Sequence, residues 1–358
     1  MAGNTYGQLF RITTFGESHG EALGVVIDGC PPRITFDVDL LTEALRKRKP
    51  GQSDLTSPRK EADAFEVLSG VFEGQTTGTP ICILIRNSDQ QSNDYDALKS
   101  VYRPSHADYT YTMKYGIRDH RGSGRASARE TVARVAAGAV ASMLLKQHGI
   151  LVHAYVSQVG SVKLHHSPES VDPSKAGLNW VRCPDEHTAA DMIRLIEKVR
   201  EDGDSVGGTI TGIVRNVPPG LGEPVFDKLH ADLGKAMLSI NACKGFEIGS
   251  GFEGSTRRGS EENDAFVKKE NRIATLSNHS GGIQGGISNG EPIYFRCAFK
   301  PVSSIKKEQT TLNTDLQTQN LAIEGRHDPC VLPRAVAIVE AMTALTLADH
   351  WMRFKAIQ

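Results

Sequence analysis

The chain has no run approaching the roughly 20 consecutive apolar residues that a membrane-spanning helix needs. Its opening residues, MAGNTYGQLFRITTFGESHG, lack the basic head and apolar stretch of a secretory signal. Together these predict a cytoplasmic protein with no membrane partner. The six cysteines (Cys30, Cys82, Cys183, Cys243, Cys297, Cys330) are scattered, with no C-x-x-C pair. That spacing argues against a metal cluster or a disulfide framework and for reduced thiols, so no metal is expected. The formal net charge of −1 offers no footing for nonspecific nucleic-acid binding. There is no G-K-[ST], hence no Walker loop, and no H-E-x-x-H. Two glycine stretches fail the dinucleotide fingerprint: GSGRAS is not G-x-G-x-x-G, and GGIQGG leads into ISNGEPIYF, which is not helical. Ser18 has a neighbouring His19 but not the G-x-S-x-G setting of a nucleophile elbow.

What the sequence does have is a concentration of arginine. Between Arg103 and Arg134, seven Lys or Arg face three acids, a local excess of four positive charges. Arg118, Arg121, Arg125 and Arg129 sit beside Gly122 and Gly124. Ser127-Ala128-Arg129-Glu130 then reads as a capping box opening an Ala-, Leu- and Met-rich helix that Gly149 stops. A helix N-terminus presents unpaired N–H groups and partial positive charge. Guanidinium groups around it make a site for phosphate or carboxylate.

Along the rest of the chain, strands are predicted at 7–14 and 22–28, forming a hairpin with His19 at its tip. A helix over 37–48 is capped by Asp37 and ends before Lys49-Pro50. Further strands fall near 66–73, 79–87, 150–164, 206–218, 246–248 and 293–299. Helices fall near 188–202 and 225–240 and after Pro333. Segments 49–61, 90–96, 165–187 and 254–272 have loop composition and are expected to be mobile excursions. A Gly-Arg loop feeding an Ala-rich helix occurs twice, at 124–147 and 325–351, which suggests an internal duplication. Strands come as neighbouring pairs with little β–α–β alternation, so the expected class is α+β with antiparallel sheets, in a single domain over 1–358.

Several arginines, glycine loops able to bring backbone N–H groups to a ligand, and three proton carriers remain: His19, His106 and Asp328. From the residues alone, the chain reads as an enzyme acting on a multiply anionic small molecule with histidine acid–base chemistry.

Five ordered blocks go further: GESHG at 16–20, RPSHADYTYTMKYGIRDHRGSGRASARET at 103–131, SNHSGGIQGGIS at 277–288, KPVSS at 300–304 and GRHDPCV at 325–331. Together they resemble the chorismate synthase family over nearly the whole chain, most loosely at 165–187 and 254–272. The resemblance implies tetramers whose subunits sandwich helices between two antiparallel sheets. It implies conversion of 5-enolpyruvylshikimate 3-phosphate to chorismate and phosphate by 1,4-anti elimination, needing reduced FMN without net redox change. The arginines Arg48, Arg125, Arg129, Arg134 and Arg326 match those the family sets on the anions, with Ser18 beside the substrate. FMN contacts carry over to Arg125, Ala126, Ser127, Asn241, Ala242, Gly285, Lys300, Pro301, Val302, Ser303, Ser304 and Arg326. His19 matches the acid for the departing phosphate and His106 the residue that protonates reduced flavin. Asp328 matches the acid that helps flavin N5 remove the C6 proton. Many members carry arginine where this chain has Asp54, paired with Arg48 in a suggested NADPH contact, so NADPH as reductant is doubtful here. A flavin-holding protein or oxidoreductase without elimination activity stays open at this point. Phosphate release with and without dithionite-reduced FMN separates the two.

Overall fold

The computed structural model describes residues 3–49, 63–87, 98–120, 122–322 and 328–358. Most of the expected loops 49–61 and 90–96, together with Asp54, Arg121 and Arg326, lie outside the described residues. Two five-stranded sheets carry the architecture. The first is built from β1 (Thr5–Tyr6), β2 (Arg11–Gly16), β3 (Ala22–Asp28), β4 (Phe65–Ser69) and β5 (Ile81–Arg86), in the order β1-β2-β3-β5-β4. The second holds β6 (Leu151–Val159), β7 (Val162–Lys163), β8 (Gly208–Arg215), β9 (Cys243–Ile248) and β10 (Ile293–Phe299), in the order β9-β10-β8-β6-β7. Every pairing within both sheets is antiparallel, as the paired-strand pattern predicts. Among the described residues, the helices of eight or more residues are α1 (Val38–Arg48), α2 (Asp108–Tyr115), α3 (Thr131–Gln147), α4 (Glu186–Glu201), α5 (Leu229–Leu238) and α6 (Leu332–Ala356).

In the first sheet β2 and β5 alternate with a period of two, and β3 departs from it only at the buried Gly24. Leu23, Val25 and Ile27 of β3 and Ile81, Ile83 and Ile85 of β5 are buried, and the alternate β5 residues are less so. The buried face meets α3, which contacts β2, β3 and β5. In the second sheet Ile210 to Val214 of β8 are buried without a break. Both α6 and α4 pack on this sheet, so alternation is lost. Helices α3 and α6 also pack on each other and are buried on nearly every face. Their small residues allow close approach: a Cβ added to Gly138 would lie 2.4 Å from Ala341 Cβ. Among the described residues no helix is long and apolar enough to cross a membrane.

Asp37 caps α1 as expected, accepting from Leu40 N at 2.9 Å. The start of α3 differs from expectation. Ser127 caps a 3₁₀ turn, Ala128–Glu130, accepting from Arg129 N at 3.2 Å, and α3 begins only at Thr131. Glu130 does not reach back to close a capping box. Its carboxylate pairs with Arg134, one helical turn on, at 2.9 Å, because the i,i+4 guanidinium offers a charged partner. The stretch 254–272 includes a short helical turn, Gly259–Glu262, and the hairpin Phe266–Lys269/Arg272–Thr275. Residues 165–187 include a 3₁₀ segment, Pro173–Leu178.

Candidate active site

A cavity of about 360 Å3 opens where the turns before α3 meet the end of α1, the segment after β10 and the start of α6. Its lining includes Arg48, Arg103, His106, Ser123, Ala126, Ser127, Arg129, Asn241, Ala242, Lys300 to Ser304, Asp328 and Arg334. Residues from five distant parts of the sequence therefore share one wall, which no local pattern specifies.

His106 is fixed at both ring nitrogens. Nδ1 lies 3.0 Å from Asp108 Oδ1 and Nε2 lies 3.2 Å from Ser123 Oγ. A carboxylate only accepts, so Nδ1 carries a proton toward Asp108, and Nε2 faces the serine hydroxyl. Asp108 also takes Arg103 through two 2.7 Å bonds and Arg118 at 3.0 Å. Burial alone would raise its pKa. The hydrogen bonds from Arg103 and His106 and the Arg103 charge outweigh that and hold it well below the carboxylate range.

Arg48 and Arg129 come from unrelated elements and meet on one carboxylate, Asp63. Arg48 Nη2 is 2.6 Å from its Oδ2, and Arg129 Nη1 bonds its Oδ1. Arg129 Nε further donates to Asn87 Oδ1 at 2.9 Å. Asp328 is buried and bonded to Arg334, whose Nε donates to the Arg48 carbonyl at 3.2 Å. On the opposite part of the lining, Lys300 N donates to Ala242 O at 3.0 Å, and Lys300 Nζ to Ser105 O at 3.3 Å. Burial, with Lys244 nearby, lowers the Lys300 pKa. Asn241 Nδ2 donates to Ala126 O at 3.0 Å, tying two of the expected cofactor contacts together.

The predicted residues do not all converge. His19 and Ser18 are not in this lining. They sit in the β2–β3 turn, 3.2 Å apart (Ser18 Oγ to His19 Nδ1), and Ser123 N donates weakly to Ser18 Oγ at 3.5 Å. Gly285 occupies a tight turn between Ile283–Gln284 and Ile287–Ser288, outside the lining. Arg125 and Arg134 face a second cavity of about 580 Å3 that shares Ala126 with the first. Arg125 is engaged by Gly16 O and Thr14 Oγ1, at 3.1 and 2.6 Å, and Arg134 by Glu130 and Ser239. The single arginine cluster expected from Arg125, Arg129 and Arg134 is thus divided: Thr14 and Gly16 of β2 hold Arg125 on one side of the turn, and Asp63 holds Arg129 on the other.

Asp63, Asp108, Ser123 and Arg334 carry much of the geometry and were given no role from sequence. Asp108, two residues after His106, and Arg334, six after Asp328, had a local signal in their opposite charges. Asp63 had none.

The arrangement can bind anions through paired arginines and hold a histidine and a carboxylate within one cavity. The model of the chorismate synthase family matches residues 10 to 352 of this sequence. The chain belongs to the chorismate synthase family. It is 56% identical to the chorismate synthase of Cytophaga hutchinsonii over 99% of both chains. It is 56% identical to that of Bacteroides thetaiotaomicron over the same shares, and 58% identical to that of Parabacteroides distasonis over 97% of both. A crystal structure of chorismate synthase superposes with a TM-score of 0.78 at 32% identity, covering 97% of this chain and 93% of that one. Family membership makes the chain a lyase acting on a small-molecule substrate in the chorismate-forming step that leads to the aromatic amino acids. His106, Asp328 and the 300–304 strip share the smaller of the two cavities.

Proposed function

We propose that this enzyme converts 5-enolpyruvylshikimate 3-phosphate to chorismate and phosphate by anti-1,4 elimination, with reduced FMN bound and no net redox change. The observation that carries the reading is one cavity that gathers His106, Asp328, Arg48 and Arg129 with the Lys300-Pro301-Val302-Ser303-Ser304 strip. The substrate brings two carboxylates and a phosphate, and guanidinium groups suit both.

Residues for the flavin fit the cavity. Asn241 Oδ1 is buried and has no hydrogen-bond donor among the described residues, which leaves an acceptor for a ligand N–H. Ala126, Ser127, Ala242 and the 300–304 strip form the adjoining wall. Arg125 contributes from behind that wall by anchoring the turn to Gly16 and Thr14. Arg326 and Gly285 complete the contact set that the family resemblance implies. When bound, reduced flavin supplies transient electron density to a ring that turns cationic as its allylic C–O bond breaks.

The chain's own groups handle protons and charge. Arg48 and Arg129 bind substrate anions. Arg134 and Ser18 support the turns on which these residues stand. His19 delivers a proton to the departing phosphate, a task suited to imidazole near neutral pH. His106, with Nδ1 pinned by Asp108, keeps Nε2 as its exchanging atom. Asp328, oriented by Arg334, helps receive the proton lost from C6. Exclusion of water strengthens each arginine–anion contact.

We read the layer order as helices between two antiparallel sheets, with the halves around α3 and α6 as an internal duplication of one domain. The assembly is a cytoplasmic homotetramer. Arg48 and Asp54 make a poor NADPH pair, so the flavin is reduced externally. An anaerobic phosphate-release assay tests the central reading. Turnover with dithionite-reduced FMN and none with oxidised FMN is expected. His19→Ala and His106→Ala each lower kcat by about 10²–10⁴-fold, and Asp328→Asn behaves similarly. Flavin binding with no phosphate release would favour a flavin-holding protein and overturn the proposal.

A further inference from the structure

Arg48 ends α1 and Arg129 lies in the turn before α3, yet their guanidinium groups meet. Their side chains are only 1% and 6% exposed, and the Asp63 side chain between them is fully buried. Asp63 gives one carboxylate oxygen to each arginine. Its backbone takes a left-handed conformation, with φ of 47°, which non-glycine residues seldom adopt. A buried charge and a left-handed backbone are both unfavourable on their own, and they persist only where surrounding structure fixes them. Two buried guanidinium groups without a shared anion would repel and separate. Asp63 bridges the two cations and gives them a set spacing. Asp63 stays ionised, because although burial raises its pKa, the Arg48 and Arg129 charges lower it further.

We propose that Asp63 is a positioning residue that locks Arg48 and Arg129 into one bidentate receptor for a substrate anion. It touches no substrate atom and acts through the two guanidinium groups. The proposal rests on the reading that these arginines bind the substrate. It goes further by assigning their spacing to a carboxylate in the strand-entry segment before β4.

The test uses full-length enzyme with reduced FMN and measures substrate KM, kcat and competitive inhibition by inorganic phosphate. Asp63→Asn is expected to raise KM and the phosphate Ki together by roughly 10- to 100-fold, with kcat changing much less. Asp63→Glu keeps the charge but moves it by one methylene, so it is expected to fold and to raise both constants by a smaller factor. It settles the question if Asp63→Asn does not fold. Arg129→Lys should also raise both constants, and adding Asp63→Asn to it should add little, since both changes break one unit. Wild-type KM and Ki in Asp63→Glu, or full additivity in the double variant, would overturn the role of Asp63. Tighter phosphate binding in Asp63→Asn would also overturn it, showing that Asp63 only balances charge. If Arg48→Lys and Arg129→Lys leave KM and Ki unchanged, the anion-binding reading itself fails, and the proposal with it.

Discussion

His19 rests directly on Gly122, with no space for even one carbon between them. A Cβ at position 122 would lie 2.3 Å from His19 Nδ1 and 2.6 Å from its Cε1, and 2.7 Å from Ser18 Oγ. Gly122 also has φ of 145°, a backbone setting that disfavours side chains. The glycine therefore joins the 16–20 turn to the arginine-rich segment by contact rather than by flexibility. Gly122→Ala should displace the imidazole and lower kcat toward the His19→Ala value, a loss of about 10²–10⁴-fold. Flavin affinity should change little. Wild-type kcat in anaerobic phosphate-release assays would show that the His19 position does not depend on this contact.

Asp108 organises the other histidine and has a pH signature. Its folded-state pKa is depressed, so the stability it contributes is fully present above its unfolded value of about 3.9. That stability is lost as pH falls below this value toward the depressed one. Asp108→Asn leaves Arg103 and Arg118 without their buried carboxylate and should cost about 3–5 kcal/mol at pH 7. The gap between variant and wild type should be constant from pH 7 to about 4.5 and should narrow below pH 4. Urea midpoints across that range measure it. A gap that widens with falling pH would contradict the sign of the shift.

The sequence disclosed elements better than it disclosed the site. β3 and β10 match their predicted ranges, because 22–28 and 293–299 are bounded apolar runs. The Asp37 cap of α1 is a local signal and was legible. The α3 start was misread because Ser127 and Glu130 satisfy the capping pattern, while Arg134 competes for the Glu130 carboxylate. Asp63 was invisible for a different reason. Its partners lie 15 and 66 residues away, and nothing at 63 marks a charge that will be buried. The split between the cavities follows the same logic. Arg125 and Arg129 are near in sequence, but Thr14 and Gly16 of β2 claim one and Asp63 claims the other.

The contact between α3 and α6 depends on Gly138. An added Cβ would stand 2.4 Å from Ala341 Cβ and 2.9 Å from the Ala341 carbonyl oxygen. Alanine gains about 1 kcal/mol of helix propensity over glycine. Overpacking a close-packed core costs about 1–3 kcal/mol, and the obstacle here includes backbone that cannot rotate away. Gly138→Ala should therefore lower Tm, and Gly138→Val should lower it further, with KM unchanged in whatever fraction remains folded. A raised Tm for Gly138→Ala would mean that the helices can separate slightly at no net cost.

One side-chain atom of α6 gathers three backbone donors of the N-terminal segment. Asp349 Oδ1 accepts from the backbone N–H groups of Gln8, Leu9 and Phe10 at 2.9, 2.7 and 3.0 Å. Asp349 and Phe10 are buried while Gln8 and Leu9 are exposed, so removing the carboxylate strands the Phe10 N–H and leaves the other two donors partly to water. A stranded buried donor costs about 1–3 kcal/mol, and the two part-buried bonds add a smaller loss. Asp349→Ala should thus destabilise the protein by about 3 kcal/mol. Asp349→Asn keeps one carbonyl acceptor and should lose less. Because β2 follows immediately, loosening residues 8–10 should also weaken the strand that holds Arg125 through Thr14 and Gly16. Flavin affinity is therefore expected to fall in Asp349→Ala along with stability, whereas Gly138→Ala should affect stability alone. Calorimetric flavin titrations on both variants, at a temperature where both are folded, check this. Equal flavin affinities would confine Asp349 to anchoring the chain end.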